Sequence, residues 1–178
     1  MKKLLTIGLW AAIVLFVIRC IISMPEGTYE IFSCAGEAIS IALILVGLYE
    51  KFLWRFNPFE KTPKIHGAYS GIIEYNYNDK SDNKRTNIVI KQSLLSIHVV
   101  ITTNETTSYT IASNLIKDNG EYILYYTYIT NPKNKYSDDN PIQYGTCRFN
   151  LTNVNELYGI YWTSRNTKGD IYLKRSVN

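Results

Sequence analysis

Residues 4–22, LLTIGLWAAIVLFVIRCII, decide the first part of the fold because they are apolar almost throughout. At 1.5 Å per residue, a helix over this stretch reaches roughly 28 Å, about the thickness of the hydrocarbon core of a membrane. A second apolar stretch covers residues 31–53, and a turn at residues 25–28 separates the two. The sequence therefore predicts a hairpin of two transmembrane helices over residues 1–57.

A cleaved signal peptide is the alternative interpretation of residues 4–22. The end of that stretch, Arg19-Cys20-Ile21-Ile22, is bulky and charged and offers no small-residue cleavage site, which favours a retained helix. Basic residues flank both outer ends of the hairpin, whereas its short loop carries only acidic charges. Because basic residues accumulate on the cytoplasmic side, both chain termini are predicted to be cytoplasmic. The flanking basic residues are Lys2, Lys3, Lys51, Arg55, Lys61 and Lys64.

Three residues of the hairpin are candidates for a role in the membrane. Arg19 and Glu37 are ionisable groups inside apolar stretches, where a charge is costly and by default indicates function. The alternative is that each side chain reaches the interface and stays hydrated. Glu37, with its shorter side chain, is the better candidate for a contact with a neighbouring subunit. Trp54 lies in an aromatic and basic segment, residues 52–59, that is typical of a membrane interface.

The composition changes near Pro63, and residues 58–64 are predicted to link the hairpin to a separate domain at residues 65–178. From Lys64 onward there are 13 Lys/Arg and 10 Asp/Glu, a difference of +3. A general DNA-binding protein needs a strongly basic face, so this balance argues against DNA as a partner. It is compatible with a small anionic ligand.

Eight strand-like stretches follow, each bounded by turn residues, and none of the gaps between them has the period of a helix. Sequential antiparallel hairpins in this number favour a small eight-stranded up-and-down β-barrel over an α/β fold. A β-sandwich is the alternative. A barrel of eight strands can hold one small ligand. The predicted strands are residues 65–77, 86–91, 94–103, 108–115, 122–130, 142–151, 157–165 and 170–174.

Alternation of side chains identifies the face of each strand that points into the barrel. The clear apolar groups are Ile88/Ile90, Ile97/Val99/Ile101, Cys147/Phe149/Leu151 and Ile171/Leu173. By the same alternation, the ligand-binding candidates are Tyr69, Tyr75 and Tyr77 in the first strand and Tyr161, Thr163 and Arg165 in the seventh. Arg165 is the central candidate, because a guanidinium group suits phosphate oxygens and tyrosine rings suit bases. The alternative is that Arg165 caps its strand beside Asp170.

The sequence gives little support for catalysis or for a metal site. His66 and His98 are the only histidines, and neither lies in the spacing of a metal or nucleophile motif. Cys147 alternates with Phe149 and is expected in the core. The other two cysteines lie in the apolar stretches, so the three do not form a disulfide framework. We therefore expect a protein that is not an enzyme and holds no metal.

Two segments resemble the two-transmembrane, β-strand-rich effectors of bacterial CBASS anti-phage systems. The first carries WRFNPF at residues 54–59 and HGAYSG at residues 66–71, and the second is LYGIYWTSRNTKG at residues 157–169. The resemblance covers essentially the whole chain. The order of these motifs behind a two-helix hairpin makes it fairly specific.

This resemblance implies a lipocalin-like barrel that binds a cyclic di- or oligonucleotide made by a phage-activated CD-NTase. It also implies that the ligand drives homo-oligomerisation and that the helices then contact the lipids of the bacterial inner membrane and disrupt it. The infected cell would die before phage matures, an outcome called abortive infection. The activating nucleotide is the only small molecule implied, and no other cofactor is expected.

A membrane-anchored, lipocalin-like carrier of an apolar ligand is the competing hypothesis, and it depends on barrel shape alone. A carrier of this kind needs an apolar interior and no essential cation. The two hypotheses therefore differ in the importance of Arg165 for binding.

Overall fold

The computed structural model describes residues 2–77, 80–138 and 140–176, and the side chains of residues 2, 3, 77 and 80 lie outside this description. The chain divides into two compact units. One comprises Met1–Lys61 and Ser93–Leu95, and the other comprises Thr62–Gln92 and Ser96–Asn178. The first unit contains two long helices, and the second contains the strands.

Each apolar stretch of the first unit forms one helix. Helix α1 covers Lys2–Ser23 and helix α2 covers Thr28–Lys51, after which a short 3₁₀ turn covers Leu53–Phe56. By length and composition both helices are able to cross a membrane, α1 over Leu4–Ser23 and α2 over its whole length. Many of their large apolar side chains are exposed. Exposed apolar faces of this size suit contact with lipid better than contact with water.

Small residues bring α1 and α2 close together. Cys34, Ala38 and Ala42 recur every four residues on α2 and are buried. On α1, a Cβ atom added at Gly8 would lie only 3.1 Å from Cγ2 of Val46. Between helices in a bilayer the hydrophobic driving force is weak, so close packing through small residues stabilises such a pair.

The second unit is a closed barrel in which eight antiparallel strands pair in sequence order and the last strand pairs with the first. This confirms the predicted architecture and excludes the β-sandwich. Closure removes the unpaired strand edges that favour aggregation. The strands are β1 (Gly67–Tyr77), β2 (Lys80–Gln92), β3 (Ile97–Thr102), β4 (Thr106–Asp118), β5 (Glu121–Pro132), β6 (Gln143–Asn150), β7 (Glu156–Thr163) and β8 (Lys168–Arg175).

The predicted apolar groups form the core of the barrel. All of their members are buried, namely Ile88, Ile90, Ile97, Val99, Ile101, Cys147, Phe149, Leu151, Ile171 and Leu173. Tyr126 from β5 joins them, and its ring stacks on that of Phe149 with a centroid distance of 5.9 Å. The alternation of side chains predicts these core residues correctly because one face of each strand is buried away from water.

Glycines allow the barrel to close between β1 and β8. A Cβ atom on Gly71 would lie 1.9 Å from the carbonyl oxygen of Tyr172, and one on Gly169 would lie 1.9 Å from that of Glu74. Both glycines belong to the paired register of the two strands. No side chain fits at these positions, so glycine is required for the backbones to approach.

Most strand boundaries differ from the prediction by one to three residues, and the start of β2 differs by six. Strand β2 begins at Lys80 instead of residue 86, because the polar residues that precede Thr86 pair with β1. Strand β4 continues to Asp118 instead of residue 115, and β7 ends at Thr163, so that Arg165 lies in the following turn. A polar hairpin arm lacks the apolar alternation by which strands are recognised. Residues 78 and 79 of the predicted connector lie outside the described residues.

Candidate functional site

A cavity of about 300 Å³ opens at one end of the barrel, where the odd-numbered strands end and the even-numbered strands begin. All eight strands, or the turns that join them, contribute to its wall. Its volume is at the lower end of the range for small-molecule sites, ~300–1,000 Å³. The polar and charged residues of its wall are Lys84, Thr103, Glu105, Thr106, Ser108, Thr130, Asn140, Gln143, Thr163, Arg165 and Thr167.

Four of the six predicted ligand-binding residues line this cavity, namely Tyr75, Tyr161, Thr163 and Arg165. The guanidinium Nη1 of Arg165 donates a hydrogen bond to Oδ1 of Asn140 at 3.2 Å. The backbone N–H of Arg165 donates to Oγ1 of Thr163 at 3.3 Å, which orders the start of the turn. Arg165 thus reaches the cavity from the turn after β7, although it is not part of the strand.

Three tyrosines line the cavity: Tyr75, Tyr161 and Tyr128, the last of which was not predicted. Burial raises the pKa of Tyr128 and of Tyr161 well above the ordinary value. Burial also raises the pKa of Tyr75, whose hydroxyl donates to Oδ2 of Asp82 at 3.0 Å. All three phenols are therefore neutral at physiological pH, with rings available for stacking and hydroxyls for hydrogen bonding.

Lys84 is a second cation in the cavity wall, and the sequence interpretation missed it. Its Nζ lies 5.1 Å from the centroid of the Tyr75 ring. Burial opposes the charge of Lys84, but the hydrogen bond and the attraction of Glu105 prevail and raise its pKa. The alternation Ile90, Ile88, Thr86, Lys84 would have placed Lys84 on the inner face if β2 had been extended toward its start.

Glu105 and Asn140 connect the two cations of the cavity. The carboxylate Oε2 of Glu105 lies 2.6 Å from Nζ of Lys84 and accepts a hydrogen bond from Nδ2 of Asn140 at 3.1 Å. Asn140 in turn accepts the hydrogen bond from Arg165. Glu105 lies in the turn between β3 and β4, and Asn140 lies in the connection before β6. Neither position belongs to a periodic pattern, so no sequence signal would have found them.

Gln143 adds an unsatisfied hydrogen-bond acceptor to the wall. Its Oε1 atom is buried, and no partner for it exists in the described part of the chain. Buried polar atoms are nearly always hydrogen-bonded, so an exception beside a cavity indicates a place for a donor from a ligand or water. On the neighbouring strands, Ser108 and Thr130 satisfy one another through a hydrogen bond of 2.8 Å between their hydroxyls.

Tyr69, one of the remaining two predicted ligand-binding residues, does not join this group. Tyr69 is buried in the core six positions before Tyr75 on β1, roughly 20 Å away along an extended strand. Its hydroxyl donates to the carbonyl oxygen of Val154 at 2.8 Å and accepts from Nη2 of Arg175 at 2.7 Å. These contacts tie the far end of the barrel together and do not form part of the cavity. The side chain of Tyr77 lies outside the described residues.

The described residues contain no group of three or more His, Cys, Asp or Glu side chains arranged to hold a metal ion. Cys147 is buried in the core, and burial raises the pKa of its thiol to about 12. A thiol in that state is a poor nucleophile.

In the helical unit, Arg19 and Glu37 meet directly. Nε of Arg19 lies 2.6 Å from Oε2 of Glu37, so the two charges that were considered separately form one ion pair between α1 and α2. Pairing reduces the cost of placing ionisable groups in an apolar environment. Trp54 is fully buried.

Comparisons with known proteins agree on one family. The family described as Cap15, cyclic dinucleotide receptor domain, matches residues 60–175, which include every residue named in the cavity wall. CD-NTase-associated protein 15 from Staphylococcus schleiferi is 34% identical over 177 residues, covering 98% of this chain and 96% of that protein. The match therefore includes both the barrel and the helical hairpin.

Proposed function

Because the chain belongs to the Cap15 family of cyclic dinucleotide receptors, effectors of CBASS anti-phage defence, we propose that its barrel cavity is the nucleotide-binding site. Binding of a cyclic dinucleotide in this cavity is the signal that activates the effector. A CD-NTase supplies that ligand.

One observation carries this assignment: the barrel gathers two cations and three tyrosine rings around a single cavity. Each phosphodiester of a cyclic dinucleotide has one negative charge, which Arg165 or Lys84 neutralises through charge-assisted hydrogen bonds. The bases stack on tyrosine rings, and the hydroxyl of Thr163 supplies a further hydrogen bond. The same charges count against a carrier of an apolar ligand, because charged groups lose hydration without compensation beside such a ligand.

The hairpin supports the second part of the proposal, that the protein spans the bacterial inner membrane twice with both termini cytoplasmic. Two helices of sufficient length and apolarity precede the barrel. A basic flank on each outer side of the hairpin favours this orientation. The barrel then faces the compartment in which a CD-NTase releases its product.

An apolar surface on the outside of the barrel supports assembly of several copies after ligand binding. Its large side chains come from β1, β7 and β8 and are each 38–48% exposed: Ile72, Tyr158, Ile160, Trp162 and Tyr172. The rings of Tyr158 and Tyr172 lie 5.2 Å apart. Contiguous exposed apolar surface of this kind marks protein interaction sites. Assembly brings many hairpins together, and these disrupt the membrane and kill the infected cell.

Calorimetric titration of the full chain in lipid nanodiscs against a panel of cyclic di- and trinucleotides tests the binding site. We expect selective binding, and Arg165→Ala should weaken it by about 1.5–3 kcal/mol, roughly 10- to 150-fold, because a charge-assisted contact is lost.

The matched control is Arg85→Ala, since Arg85 lies on the outer face of β2 and is exposed. This variant should bind as tightly as the unaltered protein. Equal losses of affinity in both variants would show that net charge, and not a specific contact of Arg165, controls binding. A folded, unaltered protein that binds no nucleotide of the panel would contradict the proposal.

A further inference from the structure

Glu105 is unexpected in a cavity that receives an anion. It is the only acidic side chain among the described residues that line the wall. A carboxylate near a bound phosphate repels it, and the repulsion is strong where both groups are partly removed from water. A function for Glu105 must therefore explain why a negative charge lies beside the two cations.

The carboxylate of Glu105 accepts a hydrogen bond from Lys84, as a phosphate oxygen of a ligand would do. Its Oε2 lies 2.6 Å from Nζ of Lys84, slightly shorter than the ~2.7–2.9 Å usual for a charge-assisted N–H···O hydrogen bond. The two side chains are 34% and 28% exposed, so the pair is more shielded than an ordinary surface ion pair. Through Asn140, the same Oε2 atom is also linked to Arg165.

The backbone holds Glu105 in this position. The N–H of Glu105 donates to Oγ1 of Thr103 at 3.2 Å, and its carbonyl oxygen accepts from the N–H of Lys133 at 2.8 Å. Nζ of Lys133 also donates to the carbonyl oxygen of Thr103 at 3.2 Å. The carboxylate thus extends from a turn whose backbone is held in place on both sides.

We propose that Glu105 is an internal substitute for a ligand phosphate, which holds Lys84 before the nucleotide binds and is then exchanged for a phosphodiester. This inference rests on the proposed function of the cavity. In the exchange, the ion pair between Lys84 and Glu105 breaks and a contact between Lys84 and phosphate forms. Glu105 therefore lowers the affinity and sets the ligand concentration at which the receptor responds.

A different role for Glu105 makes the opposite prediction. A carboxylate that accepts hydrogen bonds from base N–H groups stabilises the complex, so its neutralisation weakens binding. A purely structural role leaves affinity unchanged and lowers stability. The sign of the affinity change upon neutralisation distinguishes these three roles.

The test is calorimetric titration of full-length variants in nanodiscs with the cyclic dinucleotide that the unaltered protein binds best. Glu105→Gln retains the size of the side chain and removes its charge. We expect it to bind about three- to tenfold more tightly, because exchange no longer breaks an ion pair. Glu156→Gln is the matched control, since Glu156 forms an exposed ion pair with Lys174 and does not line the cavity. The affinity of this variant for the nucleotide should not change.

The double variant Lys84→Met/Glu105→Gln isolates the contact of the lysine. Compared with Glu105→Gln alone, it should bind at least about tenfold more weakly, since only the lysine differs. Equal affinities of these two variants would show that Lys84 does not bind the phosphate and would overturn the exchange. Weaker or unchanged binding by Glu105→Gln would overturn it as well. Thermal unfolding of each variant checks its fold, and Glu105→Ala replaces the Gln variant if that one does not fold. Absence of binding by the unaltered protein would instead reject the cavity as the nucleotide site.

Discussion

Burial keeps several titratable side chains inside the barrel uncharged. The stability of the barrel therefore depends on pH in the alkaline range. Burial raises the pKa of the Cys147 thiol to about 12, from an ordinary value of 9.0. It also raises the pKa of Tyr126 and of Tyr128 well above the ordinary 10.0. In each case the folded state retains a proton that the unfolded state loses at lower pH. Such a group stabilises the fold fully below its unfolded pKa, and this contribution is lost as pH rises toward the folded value.

We therefore expect the free energy of unfolding of the barrel to be nearly constant up to about pH 8.5 and to fall at higher pH. The limiting slope is about 1.4 kcal/mol per pH unit for each such group. Chemical unfolding of the full chain in detergent, followed by near-ultraviolet circular dichroism between pH 7 and 11, measures this. Tyr128→Phe removes one phenol and should reduce the slope. A stability that stays constant to pH 11 would contradict the assignment.

Among the structural elements, the seam between β1 and β8 tolerates the least change. Gly169 lies so close to β1 that an added Cβ would overlap the carbonyl oxygen of Glu74. The clash is with backbone, which cannot move without separating the two strands. The seam is also the last pairing along the chain, and without it the barrel would be an open sheet with two free edges.

Gly169→Ala should therefore lower the free energy of unfolding by at least about 2 kcal/mol, or prevent folding. Thermal unfolding of the full chain in detergent measures the loss. Gly47→Ala in α2 is the matched control, because nothing lies within 4 Å of its added Cβ and alanine favours helix. If both variants unfolded at the temperature of the unaltered protein, the close approach at the seam would not limit stability.

For the whole molecule, the proposed function requires that a ligand in the cavity changes the assembly of the protein. A ligand shifts an equilibrium only by its difference in affinity for the two states, so it must bind the assembled form more tightly. A shift from 1% to 99% assembled requires a difference of roughly 10⁴-fold, or about 5.5 kcal/mol. The exposed apolar face around Trp162 is the proposed surface for this assembly.

We expect the cyclic dinucleotide to increase the particle mass of the full chain in detergent, as measured by light scattering. Trp162→Ser should retain ligand binding and reduce the mass increase, since Trp162 lies on the outer face and does not line the 300 Å³ cavity. Arg165→Ala at the same ligand concentration should bind less ligand and show a correspondingly smaller increase in mass. Saturated binding without any change in mass would contradict ligand-driven assembly.

Periodic features were predictable from the sequence, because each results from a local rule. Two apolar stretches of membrane length predicted the helices, and side-chain alternation predicted both the barrel and its core. The same alternation placed Tyr75 and Thr163 toward one end of the interior, where the cavity lies, and Tyr161 on the same inner face as Thr163. It also placed Tyr69 on the inner face, but its distance along β1 puts it in the core instead of the cavity.

The sequence by itself thus determined which segments are helices or strands and which faces are buried, since these depend on neighbours along the chain. Tertiary structure alone decided which charges meet. Glu105 lies in a turn and reaches Lys84 on another strand, and Arg19 on one helix pairs with Glu37 on the next. These pairs form between residues that are distant in sequence and belong to no periodic pattern. Their geometry depends on strand register and helix packing, which exist only after the chain has folded.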